Sequence, residues 1–397
     1  MPSSALHETP SSALRAAMAA RVQRGEFPGI VTLVARDDHV EVDTIGVTRF
    51  GGDEPMRRDT PFRVASLTKP ILAAAAMTLV EDDLIDLEEP VQKLLPELAD
   101  RRVLVRYDAE LHETVPARRP IIVDDLLTFR LGFGLITEPE FDPPVPVNRK
   151  ADELRLVMGP PEPRTPHDPD EWMRLFGTLP LIHQPGERWH YNAGSLVLGV
   201  LLARAADQPL GDLLRERIFE PLGMQHTGFS LPASEAARLP GQYMTDPETQ
   251  KMTEGPHTGA EVWSSEPAFP SGSAGLASTA DDLLTFGRML LDGGVHGGTR
   301  VLSEQSVRSM TTNHLTPEQI ASAGVILGGS GWGFGMAVTV GPDEICETPG
   351  RYGWSGGSGT TWFNDPNERL IGIALTQVSD FLWSGALDEF GRLAASS

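Results

Sequence analysis

Three shortages narrow what this chain can be. It has a single cysteine, Cys346, among 397 residues, which rules out an intramolecular disulfide framework and a cysteine-rich zinc site. A lone cysteine of this kind is expected to be a small buried or half-buried residue. Positive charge is scarce: 33 Lys and Arg face 55 Asp and Glu, a formal net charge of −22. Nucleic-acid binding rests on clustered cations that displace counterions from phosphate, so that partner is disfavoured and the acidity is read as a matter of solubility. Long apolar runs are missing as well. No stretch approaches the roughly 18 apolar residues of a membrane span, and the N-terminal segment lacks the apolar core of a secretory signal. A cytoplasmic location without membrane contact is expected.

What is present is a globular composition, 40% hydrophobic with 40 Gly and 33 Pro, in a chain long enough for two domains or one large two-part fold. Leu14, Met18 and Val22 recur at helical spacing behind Thr9-Pro10-Ser11, which predicts an opening helix. GIVTLVARDDHVEVDTIG follows, two β-branched runs around Asp37-Asp38 and thus a hairpin. A strong helical run, SLTKPILAAAAMTLVEDD, begins at Ser66 with Pro70 in its first turn, where a missing N–H costs little. Residues 85–231 alternate short helical patterns such as VQKLLPEL with the proline-rich loops FDPPVPV and GPPEPRTPHDPDE. Beyond Gly272 a capped amphipathic helix, STADDLLTFGRMLLDGG, precedes the strand-like segments WGFGMAVTV, GTTWFND and RLIGIALTQ. Asp365-Pro366-Asn367-Glu368 makes the turn between the last two, and DEFGRLAAS closes the chain as a helix. Strands near both ends predict an α+β fold: a central antiparallel sheet domain from residues 1–84 and 232–397, with helices on its faces and a helical, loop-rich domain over 85–231 inserted.

Two serines compete for the role of nucleophile. Ser355 sits in GWSGG, a match to G-x-S-x-G. That motif needs strand, sharp turn and helix, with a histidine later in the chain. Here two strands follow, and the last histidine is His314. A Ser-His-Asp set in another chain order stays open at this point. Ser66 starts the S-x-x-K of SLTK, whose spacing puts Lys69 beside it on one helical face. Burial and the positive end of a helix both disfavour an ammonium, which makes such a lysine a base near neutrality. The pair alone also fits a helix cap followed by a solvated lysine. Lys69, however, is one of four lysines in the chain and is followed at once by PILAAAAMTLV, a run that points to a buried helix.

Four ordered blocks, FRVASLTKPILAAAAM, PGERWHYNAGSLVLGVLLARA, PSGSAGLASTADDLLTFGRMLLDGG and GWSGGSGTTWFNDPNERLIGIALTQ, resemble the serine β-lactamase and penicillin-binding-protein superfamily. Within it they are most similar to the family VIII carboxylesterases. The resemblance implies that fold, with the active site between the two domains. It also implies Ser66 as nucleophile, Lys69 as the helix lysine and Tyr191 as catalytic base, a phenolate held near cationic Lys69 because a phenol ordinarily titrates near pH ~10. His190 is left as structural. The backbone N–H groups of Ser66 and Gly357 are the implied oxyanion donors. Two departures bear on substrate. The family's Y-x-N reads Tyr191-Asn192-Ala193, without an amide at the third position, and its K-T-G reads Trp354-Ser355-Gly356. An indole in place of a lysine suits a neutral acyl or alcohol group better than a carboxylate.

Ser355, in the place of the threonine, is expected to donate to substrate or to the Tyr191 network. Phe133, in the TFRLGFG loop, and Trp354 are candidate pocket walls. The expected function is a serine carboxylesterase acting on a small-molecule ester, short-chain, through an acyl-enzyme. An acyltransferase using the same acyl-serine is the alternative. A β-lactamase or D-alanyl peptidase is disfavoured by the missing lysine, and a penicillin sensor without activity would be expected to have lost Ser66, Lys69 or Tyr191. No cofactor or metal is implied: His183 and His190 stand seven apart with no carboxylate at ligand spacing.

Overall fold

The computed structural model describes residues 10–137, 143–156, 165–246, 248–255, 259–342 and 348–396; Cys346 and parts of both proline-rich loops lie outside them. The run GIVTLVAR forms strand β1 (Gly29–Arg36) and is buried along nearly its whole length. Such an unbroken apolar run marks a strand covered on both faces. Successive side chains diverge accordingly, Ile30 and Val34 into one apolar layer and Val31, Leu33 and Ala35 into the other.

The other strands of its sheet are β2 (His39–Gly46), β3 (Gly331–Trp332), β4 (Ala337–Val338), β5 (Tyr352–Gly356), β6 (Thr360–Asp365) and β7 (Leu370–Leu375). Their spatial order is β3-β4-β5-β6-β7-β1-β2, and every pairing is antiparallel. The two ends of the chain thus meet in the sheet, where Val31 faces Leu375 and Arg36 faces Leu370. This is the α+β arrangement expected from strands near both termini. In the β6–β7 turn the Asp365 carboxylate accepts from the Asn367 N–H at 3.0 Å, the local bond that makes Asp a turn former.

Helix α1 (Pro10–Gln23) and helix α5 (Ala386–Ala395) share one face of the sheet, with Leu14, Met18, Phe390 and Ala394 in its apolar layer. On the other face lies α4 (Ala280–Leu291), capped by the Thr279 side chain, which accepts from the Asp282 N–H. Behind it are α2 (Thr68–Glu81) and α3 (Ala193–Ala206), which pack on each other. Both are apolar on nearly all sides, the mark of a core helix rather than a surface one. Residues 68–79 of α2 and 193–202 of α3 are buried. One continuous cluster joins Val31 and Leu33 of the sheet, Ile71 and Leu72 of α2, and Leu196 and Val197 of α3. No described helix is long and apolar enough to cross a membrane.

Candidate active site

Ser66 stands slightly ahead of the helix that the sequence assigns it to. It lies in a single 3-10 turn, Ala65–Leu67, and the α-helix starts at Thr68. Pro70 still falls in the first helical turn. Ala65 has φ +45°, a conformation that costs a non-glycine residue roughly 1–3 kcal/mol and persists where the surroundings impose it. Here the Thr68 hydroxyl donates to the Ala65 carbonyl at 2.7 Å and accepts from the Leu276 N–H at 3.1 Å, pinning the turn from both sides. Ser66 is left 7% exposed while Lys69, one helical turn on, is 1% exposed.

The structure brings three of the expected residues together. Lys69 Nζ lies 2.9 Å from Ser66 Oγ and donates to the Ser273 carbonyl oxygen at 2.8 Å. Tyr191, from the segment leading into α3, has its hydroxyl 2.9 Å from the same Ser66 Oγ. Lys69 Nζ also stands 4.5 Å from the centre of the Tyr191 ring. From β5, the Trp354 indole N–H donates to Tyr191 Oη at 2.8 Å. Burial shifts both titratable groups toward neutrality. It drops the Lys69 amine well below the usual lysine range. It pushes the Tyr191 phenol up to about 12, against the opposing hydrogen bonds from Ser66 and Trp354. Burial thus disfavours the charged form of both groups, the direction that favours Lys69 as a base near neutrality.

The end of β5, the turn after it and the start of β6 are docked on the residues just before Ser66. Ser358 Oγ donates to the Arg63 carbonyl at 2.5 Å and Thr360 Oγ1 to the Val64 carbonyl at 3.1 Å. A Cβ on Gly356 would come within 2.3 Å of that Val64 oxygen, so only glycine lets the strand approach this closely. Among the described residues, neither the Ser66 nor the Gly357 N–H has a backbone acceptor.

Residues 14–396 match the family model described as beta-lactamase. The chain belongs to the beta-lactamase family. It is a serine hydrolase of that family, within the serine β-lactamase-like superfamily and near the family VIII esterases. It is 37% identical over 367 residues to Protein Rv1367c of Mycobacterium tuberculosis, covering 89% of this chain and 86% of that one. It is 29% identical over 376 residues to Esterase EstB of Burkholderia gladioli, covering 90% and 87%. Among solved structures, EstCE1, described as a hydrolase with promiscuous acyltransferase activity, superposes with a TM-score of 0.77 over 98% of each chain at 24% identity.

In this beta-lactamase-family chain, two residues singled out from sequence, Ser355 and Phe133, stand elsewhere than expected, while His190 is structural as expected. Ser355 is a mid-strand residue, and its hydroxyl pairs with Thr361 Oγ1 across the ladder at 2.9 Å. Neighbouring strand residues point to opposite faces, and Trp354 takes the face toward Tyr191. Ser355 therefore turns away from the Tyr191 network, and no strand–turn–helix elbow surrounds it. Phe133 is 1% exposed and packs edge-on against Phe176 at 5.1 Å, inside the helical region rather than at a pocket wall. His190 is buried, stacked on His183, with its Nε2 2.9 Å from His183 Nδ1 and its Nδ1 facing the Leu135 carbonyl at 3.3 Å. Through His190 Nδ1 this pair of histidines is tied to Leu135, whose N–H donates to the Tyr191 carbonyl. No group of three His, Cys, Asp or Glu among the described residues is placed to hold a metal ion.

Sequence reasoning missed the rings that surround Tyr191. Phe129, Trp189 and Trp332 lie 5.9, 5.6 and 6.5 Å from it, centre to centre, and Trp332 meets Trp354 edge-on at 4.8 Å. The signal was there in part: Trp189 precedes Tyr191 by two residues, and Trp332 lies in a glycine-rich strand segment, GWGFG.

Proposed function

We propose that the protein is a serine carboxylesterase that hydrolyses neutral, short-chain carboxylic esters through an acyl-enzyme on Ser66. The observation that carries this reading is the convergence of Lys69 Nζ and Tyr191 Oη on Ser66 Oγ, each at 2.9 Å. With the amine neutral, Lys69, 2.9 Å from Ser66 Oγ, takes the serine proton as Ser66 Oγ attacks the ester carbonyl. The N–H groups of Ser66 and Gly357 receive the oxyanion, and one such donor is worth roughly 3 kcal/mol. Tyr191 gives its proton to the departing alkoxide and regains one from the ammonium of Lys69. Water enters by the reverse route and releases the acid, so the charges and protons balance at each turn.

Trp354 supports the substrate class. It supplies one neutral donor and an apolar face where related β-lactam hydrolases carry a lysine, and the esterase EstB, similar over most of its length, is named for the same class of reaction. An acyltransferase reading shares the acyl-serine and is favoured by the activity ascribed to EstCE1; the two differ in whether an alcohol outcompetes water. Rates with added alcohols separate them, and turnover of nitrocefin tests for a lactamase.

The decisive experiment compares two serines. Ser66→Ala is expected to abolish hydrolysis of p-nitrophenyl acetate and labelling by an organophosphate, while Ser355→Ala retains most of both. Label mapped to the peptide containing Ser355 would overturn the assignment.

A further inference from the structure

The residue after Tyr191 has a backbone that needs explaining. Asn192 has φ +83° and ψ −55°, and the Ala193 N–H donates back to the Tyr191 carbonyl at 3.2 Å. Together these define a γ-turn of the rarer, positive-φ hand, a strained conformation for any residue with a Cβ. Glycine would adopt it at less cost. The Tyr191 carbonyl also accepts from the Leu135 N–H at 3.0 Å, so the turn is held in place from the loop that faces it.

What asparagine adds is a side chain aimed at the partner of Lys69. Asn192 is 7% exposed and Ser273 3%, and Ser273 Oγ donates to Asn192 Oδ1 at 2.5 Å. The carbonyl of the same Ser273 accepts from Lys69 Nζ. Gly272, just before it, is wedged between α2 and α3: a Cβ there would lie 2.6 Å from the Ser195 carbonyl and 2.8 Å from Leu72. A closed circuit results. It runs from Lys69 to Ser273, across to Asn192, along the chain to Tyr191, and back through Ser66 Oγ to Lys69.

We propose that Asn192 and Ser273 are positioning residues, a side-chain tie that fixes the Lys69 amine and the Tyr191 phenol on opposite sides of Ser66. This rests on the reading of Ser66, Lys69 and Tyr191 given above and adds two residues whose side chains touch neither substrate nor reacting atoms. The strain at Asn192 is retained because relaxing the turn would let the phenol and the amine drift apart. A displacement of about 1 Å at such a site costs on the order of 100-fold in rate. Tyr191 is the titratable side chain that meets Lys69, and burial, with no charged neighbour contributing, disfavours the ammonium.

Steady-state kinetics over a range of pH, together with thermal unfolding, test the tie. Asn192→Gly should unfold at the same or a higher temperature, since it relieves the backbone. Its kcat should nevertheless fall by about 10–100-fold with KM within about twofold of wild type. Ser273→Ala should show the same split, and the double variant should be little worse than either single one, because both remove one link. Asn192→Asp keeps an acceptor for Ser273 and should recover most of the rate at alkaline pH. Its acid limb should move to higher pH, because a carboxylate nearby favours the Lys69 ammonium. Wild-type kcat and pH profile in both Asn192→Gly and Ser273→Ala, or additive losses in the double variant, would overturn the tie. The underlying reading fails differently: wild-type enzyme would then take no organophosphate on Ser66.

Discussion

Trp354 Nε1 and Tyr191 Oη are 2.8 Å apart, and the bond between them decides how the phenol is used. The indole occupies one electron pair of the phenol oxygen and leaves the phenol proton directed at Ser66 Oγ. Trp354→Phe keeps an aromatic face but removes this donor, so kcat on p-nitrophenyl acetate is expected to fall about tenfold, as for one hydrogen bond lost. Trp354→Lys places a cation where the indole stood. It should lower KM for an ester bearing a free carboxylate, such as a hemisuccinate, relative to a neutral ester of the same alcohol, and that KM ratio is the measurement.

Lys69 links both activity and stability to pH, and with the same sign. If the neutral amine is the base, kcat/KM rises with pH through the lowered lysine value and stays flat until the phenol begins to ionise near 12. Lys69→Arg, which cannot give up its proton, should lose at least about 1,000-fold across that range. For stability, the unfolded chain holds a proton up to the ordinary lysine value of 10.5 that the folded chain has already released. Unfolding therefore takes up a proton between the two values, and stability rises with pH across that window. The cost of burying the lysine grows as pH falls through that window, so Lys69→Met should raise Tm by a few degrees, and by more at lower pH, in an enzyme without activity. Calorimetry on the two proteins checks the sign.

Gly356→Ala tests the docking of β5. Its Cβ would fall 2.3 Å from the Val64 carbonyl, and backbone cannot yield there without moving the strand that precedes Gly357. A loss of about 100-fold in kcat is expected, the size of one oxyanion donor misplaced, with Tm lowered by several degrees. Organophosphate labelling of Ser66 should slow in parallel. Unchanged labelling would separate Gly357 from the oxyanion role.

His183 and His190 give the fold an acid limit. Burial, the larger cause, and nearby positive charge hold His183 at about 4 and His190 at about 3, against 6.5 for a free histidine. The unfolded chain therefore binds protons that the folded pair refuses, and stability is lost progressively as pH falls from 6.5 toward 4 and 3. The Tm of wild type should drop across this interval by several degrees more than that of His183→Gln/His190→Gln. Equal slopes for the two proteins would remove the pair from the account.

Much of the fold was legible because it rests on local periodicity. The apolar run of β1, the Asp-rich turn before β2 and the all-apolar α2 each carry their own signal. Ser66 and Lys69 were legible for the same reason, since three residues on a helix settle their neighbourhood. Tyr191 came from resemblance, as nothing in WHYNAG itself says that its hydroxyl meets a serine 125 positions away. Phe133 and Phe129 share one loop, and sequence offered no basis for choosing between them. The backbone chose: Phe129, with φ +61°, turns toward Tyr191, whereas Phe133 packs on Phe176. Ser355 could have been excluded earlier, because two adjacent strand residues cannot both face Tyr191. Least legible were the protonation states and the Ser273 carbonyl, the first set by desolvation and the second by an atom every residue has.

The pairing of β1 with β7 has a consequence for biosynthesis. The third strand from one edge of the sheet, counted from β2, is β7, so β1 and β2 must wait as a bare hairpin until residues 370–375 have left the ribosome. The strand that presents Trp354 and Gly357 to Ser66 reaches that sheet through β6 and β7. Until residues 370–375 have been made, a nascent chain therefore carries Ser66, Lys69 and Tyr191 without an assembled active centre.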